Sequence, residues 1–355
     1  MQTRIISELQ EFRSLQSQWR SLLQRSAHVT VFQSFEWQLS WLESFTDCKP
    51  HTIVASEGDN LLGVAPLLKR RIRKFGLKED QIEFIGAPNF SSDYCDFIIA
   101  DQREDAWAAI LTYLVNDKDW SILKLHNLSK TSPSTERINS FFTKQGCSTL
   151  IRQICECPRW VFGEAEKDAE LLKKKSLKRH LNYFQREGKL LFKELKDKNE
   201  IRSLLDPFFD QHIARRAITP SPSLFINPKE KEFYRNVLQN FDLETLRFAV
   251  LLWNEKPIAF HFGFKFGGTF VWYKPSFDPQ LSKHSPGEVL LWHLFQQAIA
   301  EKTEVFDFTV GGEGFKYRFS NQIGTNNEVV VFRRKLSYAL EKGKRAAAAL
   351  KRSLF

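Results

Sequence analysis

The sequence predicts a mixed α/β (α+β) fold made of two tandem copies, each a mixed, mostly antiparallel sheet flanked by helices. Three observations lead there. The 355 residues, 42% of them hydrophobic, exceed what one core usually organises. Two segments, HTIVASEGDNLLGVAPLLKRR and LRFAVLLWNEKPIAFHFGFKF, each join two apolar runs through a polar turn, which is a hairpin pattern. After each hairpin the order strand, helix, strand recurs, first as IEFIG, EDAWAAILTYLV and SILKLHNL, then as TFVWYKP, GEVLLWHLFQQAIA and VFDFTV. The expected divisions are a first domain over 1–160, a second over 161–334, and a basic amphipathic helix or tail over 335–355.

Taken in order, Glu8 to Gln24 reads as helical, and SFEWQLSWLESF as a helix beginning near Phe35, with Ser34 placed to cap its amides. Trp37, Trp41 and Phe45 recur at four-residue spacing, the stripe of a packing face. The first hairpin turns at Glu-Gly-Asp-Asn, and the domain boundary falls near Pro158 to Glu164. In KKKSLKRHLNYFQREG, Leu177, Leu181 and Phe184 share one helical face, while Lys175, Lys178, Arg179, Asn182 and Arg186 share another. Such a stripe either faces solvent or holds a phosphate-bearing substrate or an acidic head group. In the second hairpin Phe260, Phe262 and Phe264 alternate with Ala259, His261 and Gly263, which leaves the imidazole among small residues. In the next strand Phe270, Trp272 and Lys274 alternate with Val271 and Tyr273; in VFDFTV, Asp307 and Thr309 oppose Phe306 and Phe308. Leu291, Leu294, Phe295 and Ala298 form the stripe that pins the intervening helix to the sheet. The tail reads as a helix with Leu336, Leu340, Ala347, Leu350 and Leu354 inward and Lys335, Lys342, Arg345 and Arg352 outward, or as a frayed end.

Charge is concentrated. The net +10 comes from +7 over residues 333–355 and +5 over 167–189, leaving the rest of the chain at −2. A protein that tracks nucleic-acid phosphates along its surface needs a broader basic footprint, so nucleic acid is not an expected partner unless a charged tRNA is the donor. Five cysteines scattered over a long chain predict reduced thiols, and Cys155 with Cys157 cannot alone complete a zinc site, so no metal is expected. No run of about 18 apolar residues is present to span a bilayer. The opening MQTRIISELQEF lacks the basic and apolar segments of a secretory signal, which predicts a cytoplasmic protein. At +7, the tail predicts weak peripheral contact with an anionic membrane.

The second copy differs from the first at one helix start. Ser285 stands at an N-cap position, Pro286 fits a first turn that needs no donor there, and Gly287 allows close approach to the backbone. Amides at 285–289 and the positive end of the helix dipole make an anion site, with Ser285, Gly287, Glu288 and Val289 as the candidate residues. An ordinary capped helix start is the competing reading, and Glu288 in the first turn favours it. The first copy carries Asp-Gln-Arg-Glu-Asp at the matching place, acidic and without glycine.

The stretches FQSFEWQLSWLESF, LLGVAPLLKRR, SSDYCDF, SLKRHLNYFQREGKL and KPSFDPQLSKHSPGEVLLWHLFQQAIAEKTEVFDFTVGGEGFKYRF resemble the GNAT acyltransferase superfamily. The specific resemblance is to the tandem CelD-like acetyltransferases, related to the FemAB aminoacyl transferases. FKYRF is similar to the Tyr-Lys-x-x-Phe of FemAB sequences, with the order Lys316-Tyr317 and no following glycine. The resemblance implies acetyl-CoA or another acyl-CoA as co-substrate, its pantetheine between the strands TFVWYKP and VFDFTV and its pyrophosphate at Ser285 to Val289. The family's usual loop, Gln/Arg-x-x-Gly-x-Gly/Ala, is absent at this helix.

Acyl transfer to an amine needs a base or water chain and donors near the carbonyl oxygen and the departing thiolate. His261 or Asp307 is the candidate base or substrate orienter, and Tyr273 the candidate proton donor. Asp278, Lys316, Tyr317 and Arg318, which follow strands at one end of the sheet, are candidate substrate contacts. An interior histidine, a strand-end aspartate and a solvated loop are the plain alternatives. The resemblance implies an N- or O-acyltransferase acting on a saccharide or amine acceptor in cell-envelope or exopolysaccharide metabolism. Aminoacyl transfer from a charged tRNA, or a non-catalytic accessory role, are the other readings.

Overall fold

The computed structural model describes residues 1–74, 76–219 and 221–353, with side chains up to residue 348. In chain order the first elements are β1 (Gln2–Ile6), α1 (Leu9–Ser14), α2 (Gln16–Leu23), α3 (Phe35–Ser44), β2 (Lys49–Pro50), β3 (Thr52–Glu57), β4 (Asn60–Ala65), β5 (Leu67–Lys74), β6 (Leu77–Phe84), β7 (Ile98–Ile99), α4 (Glu104–Asn116), β8 (Ile122–Ser129), α5 (Ser134–Lys144) and β9 (Ser148–Val161). There follow α6 (Ala165–Leu172), α7 (Lys175–Glu187), β10 (Leu190–Leu195), α8 (Lys198–Arg216), α9 (Pro228–Asn240), β11 (Leu246–Trp253), β12 (Lys256–Phe266), β13 (Thr269–Phe277), α10 (Pro286–Ala300), β14 (Val305–Asp307), α11 (Gly314–Arg318), β15 (Gln322–Phe332) and α12 (Lys335–Ser353).

The chain divides into two units, Met1–Cys155 with Thr325–Phe355, and Glu156–Gly324. Two continuous domains followed by a tail were expected. Instead the first unit is assembled from two chain segments, because β15 returns to pair antiparallel with β8. In the first unit one sheet has the order β1-β3-β4-β7, and β15, β8, β6, β5 and β2 are neighbours in another. The expected first hairpin is β3–β4, closed at Glu57↔Asn60 with Gly58 at φ 57°. The basic run after it, read as the end of the hairpin, is a further strand, β5, paired along its length with β6. Ser34 caps α3 as its position predicts, its hydroxyl accepting the Trp37 amide at 3.3 Å.

In the second unit the strand order is β10-β11-β12-β13-β14-β9. β11 and β12 meet in a two-residue turn in which Asn254 (φ 47°) and Glu255 (φ 67°) are both left-handed, the conformation that matches strand twist in a tight hairpin. One sheet face buries Ala249, Ala259, Phe270, Trp272, Phe306 and Phe308 against α10, whose Leu291, Leu294, Phe295 and Ala298 are all buried as their spacing predicts. On the other face Phe248, Phe260 and Phe262 pack against Phe208 of α8, and Phe262 also meets Tyr234 of α9. Fully burying one such aromatic contributes about 1.5–3 kcal/mol, so these two layers hold the sheet between them.

Each unit contains one parallel pair bridged by a helix, β6 with β8 across α4 and β13 with β14 across α10. That is the predicted repeat. The candidate chemistry lies at the second pair, where β14 is short and its partner runs on alone.

Candidate functional site

β13 and β14 pair from Thr269↔Val305 to Val271↔Asp307. β13 then runs on to Phe277 while β14 stops at Asp307, so the ladder between them ends after Val271. Asp307 ends β14 itself: its Oδ1 accepts the amide of Thr309 at 2.6 Å, and Thr309 is left-handed at φ 58°. A register shift between Phe262 and Phe264 opposite the middle of β13 marks a bulge there.

The register assigns the candidate residues to faces. Val271 lies opposite Phe264 and beside Asp307, so Asp307 and Tyr273 share the side of the sheet that meets α8 and α9. Tyr273 is buried, parallel to Tyr234 with ring centroids 6.2 Å apart, and the Lys274 ammonium lies 3.9 Å from its ring centroid. His261 is on the opposite side. It was expected among small residues with open space, but the space is filled: the imidazole is 0% exposed and stacks on Trp272 at 4.7 Å and on Phe270 at 5.6 Å. Neither ring nitrogen has a hydrogen-bond partner of normal geometry among the described residues. Burial drives its pKa down to about 3, against a small upward pull from the Val271 carbonyl. A general base must reach solvent or substrate, and this imidazole reaches neither. Gly263 is small because of it: a Cβ there would lie 2.1 Å from the His261 ring.

The first turn of α10 also departs from expectation. Ser285 is left-handed (φ 49°) and its side chain caps nothing. Its carbonyl instead accepts the amides of Glu288 (2.9 Å) and Val289 (3.3 Å). Pro286 has no amide, which leaves the Gly287 N–H as the donor without a helical partner in this turn. A Cβ at Gly287 would stand 3.1 Å from Cδ1 of the half-buried Phe277, a tight contact that the ring would have to yield to. Glu288 pairs with Arg318, whose carbonyl accepts from the Lys174 ammonium. Among the described residues the turn therefore holds one donor outside the helix ladder and a carboxylate of its own, a poor match for pyrophosphate.

Among the candidate substrate contacts, Asp278 caps the turn before α10, its Oδ1 accepting the Gln280 amide at 2.9 Å. Lys316 is buried and tied within its loop, donating to the Val310 carbonyl at 2.7 Å and pairing with Glu313 at 3.0 Å. The Tyr317 hydroxyl donates to Glu156, which raises its pKa, and Arg318 is the partner of Glu288. Of this group Tyr317 and Arg318 remain exposed.

What the structure assembles is a groove. The outward face of α7 meets the end of the turn preceding α10, enclosing about 990 Å³ lined by Lys173, Lys175, Lys178, Arg179, Arg186 and Lys283 with Asn182, His180, Tyr183 and His284. Among the described residues that line it, none is a carboxylate. The stripe Lys175, Lys178, Arg179, Asn182 and Arg186 is exposed as its spacing predicts, because Leu177 and Phe184 are buried on the reverse. Lys283, His284 and Tyr183 were not foreseen. The rings of Tyr183 and His284 lie parallel, 3.5 Å apart at 3°, joining α7 to the residue just ahead of Ser285. Burial lowers the pKa of His180 while Glu288 raises it, which links the groove electrostatically to the α10 start. Six permanent cations in one open groove suit a polyphosphate. Among the described residues no group of three or more His, Cys, Asp or Glu is placed to hold a metal, and no helix is long and apolar enough to cross a membrane.

The comparisons with known proteins agree on the fold. Residues 173–317 match the model of an acetyltransferase (GNAT) domain. Among curated proteins, none matches the chain. The structure of FemX is similar over 96% of this chain and 99% of its own, at 10% identity and a TM-score of 0.64. The C-terminal domain of a putative lysylphosphatidylglycerol synthetase from Agrobacterium fabrum is similar over 94% and 96%, at 12% identity and 0.55. A tandem GNAT protein from the clavulanic acid biosynthesis pathway is similar over 92% and 98%, at 8% identity and 0.50. Identities this low speak for the fold alone. Two α/β units with helix-flanked sheets are thus a tandem GNAT-like architecture, and the match to the acetyltransferase (GNAT) model falls within the second of them.

Proposed function

We propose that the second unit transfers an acyl group directly from an acyl-CoA to an amine or hydroxyl of an acceptor in cell-envelope or exopolysaccharide metabolism. One observation carries this reading: the groove of α7, with its cations and without an acid among its described lining, reaches His284, the residue before the first turn of α10. Lys178, Arg179 and Lys283 would hold the phosphates, and the place where the ladder ends, after Val271 and Asp307, would take the narrow arm. The thioester supplies an activated carbonyl with a good leaving group. Asp307 would orient the acceptor and help remove its proton, and Tyr273, on the same face, would protonate the leaving sulfur. The Gly287 amide, too near the helix start to have an acceptor within α10, is a backbone donor in its first turn.

The same cations suit the phosphates of a charged tRNA, which would make the reaction aminoacyl transfer. Calorimetric titration separates the two. Acetyl-CoA and free CoA should bind the full chain, and Lys178→Glu with Arg179→Glu should weaken them at least about tenfold, each charged hydrogen bond being worth about 1.5–3 kcal/mol. Equal affinity in the variant would remove CoA from the groove. Silence toward CoA together with salt-dependent binding of charged tRNA would favour the second reading.

A further inference from the structure

The charged tail was expected to turn Leu336, Leu340 and Ala347 inward, but α12 lies on the first unit through a polar face. The Ser337 hydroxyl donates to Glu79 at 2.5 Å, Glu341 pairs with Lys74 at 3.1 Å, and Arg345 reaches Glu341 and Glu328, each at 2.8 Å. Ser337, Glu341 and Arg345 follow one another at four-residue spacing, so the residues half a turn away point outward. Leu336 is 60% exposed, Ala339, Gly343, Ala346 and Ala347 are exposed with it, and Leu340 is half-buried. Leu350, Arg352 and Leu354, assigned to the same pattern, lie outside the residues whose side chains are described. The outward strip is bordered by the exposed Lys335, Lys342 and Lys344.

At its N-terminal end, through Arg334, the helix adjoins a pocket of about 500 Å³. Lys69, Arg71, Lys78, Lys118, Arg333 and Arg334 line it, against the carboxylates Asp80 and Asp119. Arg71 is paired with Asp80, and Arg333 is fixed over Trp120 with its guanidinium 4.0 Å from the ring centroid. Arg334 is paired with Glu79 at 3.4 Å, so Lys69, Lys78 and Lys118 supply the charge at the rim.

We infer that this surface of the first unit docks on an anionic lipid bilayer, with the outward strip of α12 at the acyl boundary and the flanking lysines at the phosphate plane. An apolar strip edged by lysines is complementary to both layers of such a surface, which a soluble acidic protein would match only in charge. The inference is independent of the acyl-transfer reading, because none of these residues belongs to the second unit.

Co-sedimentation of the full chain with vesicles tests it. Vesicles containing phosphatidylglycerol should carry the protein down and vesicles of phosphatidylcholine alone should not, with binding falling as salt is raised. Replacing Lys335, Lys342 and Lys344 by Gln should reduce binding at least about tenfold, and Leu336→Glu should weaken it, with circular dichroism unchanged in both. Absence of binding to phosphatidylglycerol, or equal binding by both variants, overturns the inference. If Leu336→Glu leaves vesicle binding intact but shifts sedimentation in solution, the strip belongs to a second copy of the chain instead.

Discussion

His261 illustrates how a residue's chemistry is set by whatever covers it. Alternation along β12 fixes its side of the strand, but Trp272, Phe270 and the absent side chain of Gly263 decide that this side is closed. The unfolded chain protonates this histidine below about pH 6.5. The folded one resists until about pH 3, so its contribution to stability is complete above the higher value and is lost as pH falls toward the lower. His261→Leu should therefore fold, melt near the wild-type temperature at pH 7, and show a shallower acid loss in thermal melts at about pH 5. Collapse of the variant at neutral pH would mean that the imidazole has a polar role. Gly287 makes a second residue-scale case. Gly287→Val should cost about 1–3 kcal/mol by crowding Phe277, visible as a lower melting temperature without any ligand. A variant as stable as the wild type would return this glycine to a ligand-facing role.

At the scale of elements, α12 and β15 are held by ion pairs as well as by the packing of Tyr338 against Phe332. Glu328 of β15 is fully buried, with His126 and Arg152 at 2.8 Å and Arg345 of α12 at the same distance. Burial pushes its pKa up, but hydrogen bonds from His126 and Arg152 outweigh that and hold it well below the ordinary glutamate value. Because the folded chain keeps this carboxylate ionised after the unfolded chain has protonated it, the stabilisation is present above the ordinary glutamate pKa and lost as pH falls below it. Glu328→Gln should lower stability by about 1–3 kcal/mol at neutral pH, since the cations left behind are partly exposed, and flatten the acid limb of the melting curve. Unchanged melting would show the cations to be satisfied without it. This polar underside explains why α12 turns its small apolar residues outward. Helical periodicity separates the two faces of the tail, but it does not say which of them the sheet will accept. Glu79, Gln81 and Glu83, buried at alternate positions of β6, settle that.

Across the whole molecule, the repeated hairpin and strand-helix-strand order were legible in the sequence because alternation and helical period are local properties, set by residues a few positions apart. The same locality made readable the buried stripe of α10 and the exposed basic face of α7, whereas VFDFTV, read as one strand, stops at Asp307 with Thr309 left-handed beyond it. The return of the chain from Gly324 to the first unit was not readable, since strand pairing over such separations depends on which edges are left open. Nor was the groove, which exists because Lys283 and His284 meet α7 across roughly a hundred residues of chain. The sequence alone determined the two α/β units, the faces of their elements and the places where positive charge gathers. Only the tertiary structure decided that His261 is sealed, that the α10 start is taken up by Ser285 and Glu288, and that α12 presents its apolar strip outward. The reason is common to all three: periodicity assigns a side chain to a face, and burial is conferred by whatever packs against that face from elsewhere in the chain.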